Sequence, residues 1–333
     1  MRRSHFENFA KLEDLKFEES GSIRGFVSQL ESDYLRQFDT LDYKNHRYRY
    51  LKMLSKIPHS PNTKARMLEV GESKVVFPAA TKLLGWESFD LTAYSSSPQP
   101  VSAVKSHFSS QRDLTVHYFD LEAHIAPIEK YSYDYVLCSE VIEHLRLDPA
   151  FMICEINRWL RFGGLLMLTT PNIASLTSLK KLFQHYPPYL YGKYHIDGDP
   201  TARHQHEYSI REISLGMKEM GFEELYLSAE YCYERPDQEF LDKLKQIDVS
   251  PHGRGDTIFY IGRKVSSLVN RFPKVWYLHD ESHKPIDTSL KRHSAIQHPH
   301  KGATENGRIV SSHNQDIRHS PHRRTKETVG ENL

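Results

Sequence analysis

Apolar positions along this chain come in blocks that alternate between short runs of strand type and stretches spaced every three to four residues. Residues 66–70, 88–94, 114–119, 133–138 and 165–170 are the short runs and predict strands. Residues 75–84 predict a helix closed by Gly85. Between the last two runs, Met152, Ile153, Ile156, Trp159 and Leu160 recur at helical spacing, so that helix buries one face. Asp148 suits its N-cap, Pro149 its first turn, and Gly163-Gly164 its stop. Farther on, Ser209 and Glu212 form a capping box for a helix that ends at Gly221. Residues 224–231 and 257–261 then predict two antiparallel strands that close the sheet. Strand–helix alternation of this kind predicts an α/β fold, a Rossmann-like doubly wound sheet with a closing antiparallel strand pair. In such sheets ligands bind beyond the carboxyl ends of the strands. That rule places Ser139, Glu140, Glu143 and His144 beside a ligand.

The flanks follow other rules. Phe26, Leu30, Tyr34 and Phe38 fall at steps of four with Val27 beside them, and Tyr48, Leu51, Leu54 and Ile57 mark a second helical segment over residues 43–57. Together they predict a helical N-terminal cap. After Asn172, Leu176, Leu179 and Phe183 suggest a helix. A loop then carries Tyr186, Tyr189, Tyr191 and Tyr194, broken by Pro187-Pro188, and is too long for a mere connector. Tyrosine presents flat apolar faces with a polar rim, so the loop is expected over a pocket for sugars, phenols or nucleosides. The expected organisation is a cap at 1–42, the main domain at 43–265, an extension packing on it at 266–280, and a disordered His-rich tail at 281–333.

Charge and composition narrow the partners. The net charge of +1 argues against a dedicated nucleic-acid surface. It hides an asymmetry, since residues 281–333 hold nine Lys or Arg, six Asp or Glu, seven His and no aromatic residue other than those histidines. Such a segment buries too little area to offset its ordering entropy. No apolar run reaches the ~20 residues that span a bilayer. The first residues lack the apolar core of a secretory signal. Cys138, Cys154 and Cys232 are scattered and odd in number, as reduced core cysteines of a cytoplasmic protein would be. The oligomeric state is left open.

The stretch from Asp134 to Asn172 carries a motif as well as a pattern. It reads D-x-V-x-x-x-E-V-x-E-H-L, then a helix, G-G, an apolar strand and T-P-N. This wording resembles the class I S-adenosylmethionine (AdoMet) methyltransferases, with looser similarity from about Tyr43 to Tyr277. The resemblance implies a cofactor site at Glu69, Gly71, Tyr94, Asp120, Leu121, Cys138, Ser139 and Glu140. Glu69 would meet the methionine ammonium. Tyr94 stands in the stretch that ends strand 2, where relatives carry a ribose-binding acid and this chain has none. Asp120, with Leu121, would receive the adenine amino group. The family's E-x-G-x-G-x-G loop is reduced here to E-V-G-E-S-K-V, with Ser73 and Val75 at the later glycine positions.

Glu140, Glu143 and His144 allow two chemistries. In the ubiquinone-pathway O-methyltransferases and the small-RNA 3′-end 2′-O-methyltransferases, E-x-x-E-H with a downstream histidine holds a divalent cation. Here the ligands would be Glu140, Glu143, His144 and His206, or His204 in its place. Two carboxylates with imidazole suit Mg²⁺, Mn²⁺ or Zn²⁺. In other relatives no metal is present, and His144 would either take the acceptor proton, with Glu143 orienting it, or merely pack against the cofactor. R-H-x-x-E-Y, R-G-D-T-I-F-Y-I-G-R-K and R-F-P-K-V-W-Y are similar to methyltransferases of bacterial glycan and lipopolysaccharide pathways. The expected function is O-methylation of a small hydroxyl acceptor such as a glycan or glycan precursor. The alternatives are an inactive scaffold of the same fold, suggested by the reduced glycine loop, and a metal-assisted RNA 2′-O-methyltransferase.

Overall fold

Among the described residues eight strands make up the sheet: β1 (Arg66–Val70), β2 (Ser88–Tyr94), β3 (Ser102–Lys105), β4 (Asp113–Phe119), β5 (Tyr133–Ser139), β6 (Leu160–Pro171), β7 (Phe222–Glu230) and β8 (Thr257–Lys264). The structure is a computed structural model that describes residues 15–33, 40–71, 73, 75–95, 102–105, 113–189, 203–267 and 269–277. These all fall within one compact unit, residues 1–283. The strands form one sheet in the order β3-β4-β2-β1-β5-β6-β8-β7. β4, β2, β1, β5 and β6 run parallel, whereas β3, β8 and β7 each pair antiparallel to their neighbours. The chain runs outward from β1 to β4 and then returns to the other side of β1 as β5. The switch point of the sheet therefore lies between β1 and β5, where their carboxyl ends open a crevice.

Both faces of the sheet are covered, which explains why the central strands read as continuous apolar runs rather than alternating ones. Met67, Tyr135, Leu137 and Met167 point to one face and Leu68, Val136, Cys138 and Leu168 to the other. The first face packs on α1 (Ser20–Asp33), α2 (Thr40–Leu54) and α3 (Val76–Lys82). The second packs on α4 (Pro149–Trp159) and, through Ile213 and Met217, on α6 (Ile210–Glu219). α5 (Leu176–Phe183) and α7 (Gln238–Gln246) make a small third cluster around Leu176, Leu241 and Leu244.

Several expectations are corrected in detail. Of the residues expected inward on α1, Val27 and Leu30 are buried, Phe26 is only half-buried, and Ile23 completes the stripe. Tyr34 and Phe38 lie outside the described residues. In α2 the inward residues are Tyr50, Met53 and Leu54, while Tyr48 is 67% exposed. α4 ends at Trp159 and β6 starts at once, so Gly163-Gly164 does not stop the helix. The two glycines instead shape the start of β6, where the register against β5 shifts. Gly163 takes φ +77°, and a Cβ on Gly164 would stand 2.9 Å from the Arg161 carbonyl oxygen. β3 and α7 have no counterpart in the sequence reading.

Local signals elsewhere match the structure. The Asp148 carboxylate caps α4 by accepting from Phe151 N, and the Ser209–Glu212 capping box starts α6. The segment after β8 packs back on the domain: Trp276 Nε1 donates to the Glu212 carbonyl at 3.0 Å, and the Tyr277 hydroxyl donates to Asp148 at 2.5 Å. No helix among the described residues is long and apolar enough to cross a membrane. The expected tail at 281–333 lies outside the described residues.

Candidate active site

The crevice is built from loops that leave β1, β2, β4 and β5. After β1, Gly71 has φ +81°, and a Cβ there would meet the Val141 side chain at 3.0 Å, so a side chain at this position would be strained and glycine suits it. Its N–H donates to Thr92 Oγ1 at 3.2 Å, which ties the ends of β1 and β2 together. Glu69 is buried rather than a solvated strand-end acid. Its Oε1 accepts from Ser73 N at 3.1 Å, and Ser73 Oγ accepts from Val76 N at 3.2 Å at the start of α3. The acid and the serine thus hold a loop that has lost two of its three glycines. Tyr94, at the end of β2, is 61% exposed. Asp120 follows β4, and its Oδ1 accepts from Glu122 N at 2.8 Å in a tight turn, with Leu121 half-buried beside it.

The turn after β5 is the most constrained part. Cys138 is fully buried, and burial first, then the Glu143 and Glu140 carboxylates, push its thiol well up. Ser139 Oγ lies 2.9 Å from Thr169 Oγ1 on β6. Glu140 has φ +54°, a left-handed backbone that side chains rarely adopt, and its N–H donates to the Thr169 carbonyl at 2.9 Å. A residue not anticipated from the sequence completes the turn. Arg49, buried in α2, donates from Nη1 to Ser139 Oγ at 3.3 Å and pairs with Glu140 Oε1 at 3.5 Å. A charged side chain beside the buried Tyr50 and Met53 was the available signal. Its partners, about ninety residues away, were not readable.

A 3-10 turn over Ile142–His144 follows. Glu143 is fully buried; its Oε2 accepts from Thr170 Oγ1 at 3.0 Å, while Oε1 is buried without a hydrogen bond. Burial, and next the charge of Glu140, raise this carboxyl well above the ordinary glutamate range. The Glu143 carbonyl accepts from Gln205 N at 2.7 Å and His206 N at 3.3 Å, which docks the segment before α6 onto the turn. His204 is thereby brought against His144, with ring centroids 4.8 Å apart at 85°. One ligand atom from each of Glu143, His144 and His204 lies within 4.8 Å of the others.

Of the expected metal-ligating residues, the structure brings Glu143 and His144 together with His204 rather than with Glu140 and His206. His206 turns away, with Nε2 3.3 Å from Glu212 Oε1 and its ring 4.5 Å from that of Tyr208. Glu140 is outside the cluster and faces Arg49. His204, the other histidine of R-H-Q-H, takes the place given to His206, and its Nδ1 is 2.9 Å from Glu207 Oε1.

Beside this cluster lies a cavity of about 570 Å³, of the size that holds a small ligand. Glu143, His144 and His204 line one end, and Tyr233, Glu234 and Lys181 line other parts. Asp256 anchors that wall: its carboxylate accepts from Cys232 N at 3.0 Å and from Tyr233 N and Glu234 N at 3.1 Å. Of the tyrosine-rich loop, Pro188 reaches the cavity, Tyr186 and Tyr189 are exposed, and Tyr191 and Tyr194 lie outside the described residues.

Comparison with known proteins gives the family of the chain. A family model described as a methyltransferase domain matches residues 43–227, more than half of the chain. The chain belongs to the class I AdoMet-dependent methyltransferases, and is an enzyme of that family. Its cofactor is AdoMet, and its reaction is AdoMet-dependent methylation. Among solved structures it is similar to a chain of the complex between the Haloferax volcanii Trm112 methyltransferase activator and a methyltransferase, at 12% identity and TM-score 0.45, over 76% of this chain and 100% of that one. It is also similar to a SAM-dependent methyltransferase of Thermotoga maritima, at 16% identity and TM-score 0.40, over 73% and 99%. A third likeness is to a SAM-dependent methyltransferase of Archaeoglobus fulgidus, at 16% identity and TM-score 0.42, over 70% and 100%. No protein of curated function matches the chain.

Proposed function

We propose that this enzyme transfers the AdoMet methyl group to a hydroxyl oxygen of a small polar acceptor, a glycan or glycan precursor, held in the 570 Å³ cavity. The cluster of Glu143, His144 and His204 at the cavity end, next to the Ser139–Glu140 turn, carries this reading. The cofactor would lie along the carboxyl ends of β4, β2, β1 and β5, between Asp120 with Leu121, Tyr94, Glu69 with Gly71, and Cys138 to Glu140. Its sulfonium is already an excellent leaving group. The protein's task is to align the acceptor oxygen with the methyl carbon and to exclude water.

The cluster also fits a divalent cation. A fully buried carboxylate with one oxygen unanswered is costly unless a positive partner meets it. Glu143, His144 and His204 would hold the ion, and one carboxylate with two imidazoles suits Zn²⁺ or Mn²⁺ better than Mg²⁺. Such an ion lowers the pKa of an acceptor hydroxyl. The rival arrangement, Glu143 orienting His144 as a base, is less well supported: His144 Nε2 stands 3.9 Å from Glu143 Oε1, beyond hydrogen-bond reach. An RNA acceptor is disfavoured by charge. Arg49 and Lys181 line the cavity against five carboxylates, whereas phosphate needs a basic groove.

The test is release of S-adenosylhomocysteine (AdoHcy) from the full chain over a panel of sugars, polyols, phenols, amines and RNA 3′ ends, with and without EDTA. Turnover of sugars or polyols that stops with EDTA and returns with Mn²⁺ or Zn²⁺ is expected. Preference for amines or RNA would overturn the acceptor assignment. Turnover indifferent to EDTA would remove the cation and leave His144 as base.

A further inference from the structure

One stripe of α2 makes three polar ties to separate parts of the domain. His46, Arg49 and Lys52 follow at three-residue spacing and so share a face of the helix. His46 Nδ1 lies 2.7 Å from the Tyr233 hydroxyl, with ring centroids 5.4 Å apart at 89°. Arg49 reaches Ser139 Oγ at 3.3 Å and Glu140 Oε1 at 3.5 Å. Lys52, with Lys56 just beyond the helix, binds Glu230 at 3.1 and 2.8 Å. The helix thus touches the cavity wall at one turn and the β5 turn at the next.

Both ends of this link are stiff. Tyr233 sits on a loop whose three successive N–H groups are held by Asp256, so the backbone that carries it is tied down. At the other end, the left-handed backbone of Glu140 persists only because its surroundings hold it. The Thr169 carbonyl holds its N–H and Arg49 faces its carboxylate. Arg49 is itself buried, with its guanidinium 5.1 Å from the centre of the Tyr50 ring, so it can shift little without moving the helix. Tyr233, His46, one turn of helix and Arg49 thus form a continuous chain of contacts from the cavity wall to the β5 turn.

We propose that α2 couples the acceptor wall to the cofactor turn, with His46 and Tyr233 as positioning residues for Arg49 and, through it, for Ser139 and Glu140. The coupling rests on the proposed reading of the β5 turn as cofactor-binding and of Tyr233 as acceptor wall. Its consequence is reciprocal: whatever sets Tyr233 changes AdoMet affinity, and AdoMet in turn changes affinity for an acceptor that touches Tyr233.

AdoHcy binding by calorimetry to the full chain tests this without any knowledge of the acceptor. Tyr233→Phe, which removes only a hydroxyl, and His46→Ala are each expected to weaken AdoHcy about five-fold or more, the lower end of ordinary site-to-site coupling. The double variant should bind no worse than either single one, and neither change should matter further in Arg49→Lys. His46→Asn, which keeps a hydrogen-bonding atom near the position of Nδ1, should restore most of the affinity. Melting temperatures identify any variant that fails to fold, and the remaining members of the set then decide. Wild-type affinity in Tyr233→Phe, or effects that simply add in the Arg49→Lys background, would overturn the coupling alone. A wild-type chain that bound no AdoHcy would strike the cofactor site itself and the coupling with it.

Discussion

His204 Nδ1 lies 2.9 Å from Glu207 Oε1, and both side chains are buried. A carboxylate on one imidazole nitrogen fixes the tautomer and raises the basicity of the other nitrogen. Through this bond Glu207 would support a cation held by His204. Glu207→Gln should weaken cation affinity by about 10–100-fold, the usual effect of losing such a support. The midpoint of a Zn²⁺ or Mn²⁺ titration followed by thermal melting reads this directly, and an unmoved midpoint would count against the assignment.

Glu143 itself should decide whether a cation is bound at all. At a free cation concentration of 100 Kd, a bound ion stabilises the fold by about 2.7 kcal/mol. Wild type should show this gain with Zn²⁺ or Mn²⁺. Glu143→Gln should show none, yet should be no less stable than wild type in EDTA, because it removes a buried carboxylate whose burial opposes ionisation. Equal gains in the two proteins would place the ion elsewhere.

Lys264 gives the pH dependence. It is buried on β8, its Nζ donates to the carbonyls of Asn157 and Leu160, and the rings of Tyr131 and Phe162 lie 4.5 and 5.0 Å away. Burial lowers its pKa from 10.5 to about 8. Below the folded value both states carry the proton, and above the unfolded value neither does. Between about 8 and 10.5 the unfolded chain holds more of it, so this group makes the fold more stable as pH rises. Urea unfolding at pH 7.5, 8.5 and 9.5 should therefore show wild type gaining relative to Lys264→Met. Parallel curves would mean that the carbonyls and rings offset the cost of burial.

Gly255 supports the acceptor wall by close approach. A Cβ there would stand 2.3, 2.4 and 2.5 Å from the backbone C, N and Cα of Glu230. Two backbones would have to separate, so Gly255→Ala should cost about 1–3 kcal/mol, as forced overpacking does. Glu230 anchors Lys52 and Lys56, and Asp256 follows Gly255, so the variant should also lose turnover beyond its loss of stability. Denaturant midpoints and AdoHcy release measured on the same sample separate the two effects.

The sequence was most legible where the physics is local. The Asp148 N-cap, the Ser209–Glu212 capping box and the apolar runs of β1, β2 and β5 depend on neighbours a few residues away, and the structure has them where the pattern puts them. Glycine was less readable. Gly163-Gly164 looks like a helix stop, yet α4 ends at Trp159 and the pair shapes a strand start, because strand pairing with β5 overrides the local breaker.

By itself, then, the chain determined its strands other than β3, most of its helices, the parallel βαβ unit around Asp134–Asn172, and the nearness of Glu140, Glu143 and His144, which lie within five consecutive residues. Only the tertiary structure decided which of those groups face one another. The choice of His204 over His206 depends on two N–H groups docking on the Glu143 carbonyl, with Tyr208 bridging to Asn172. The diversion of Glu140 depends on Arg49, which arrives from a helix remote in sequence. Period and propensity are properties of short windows, whereas side-chain convergence is set by packing between segments far apart along the chain, and no local pattern encodes it.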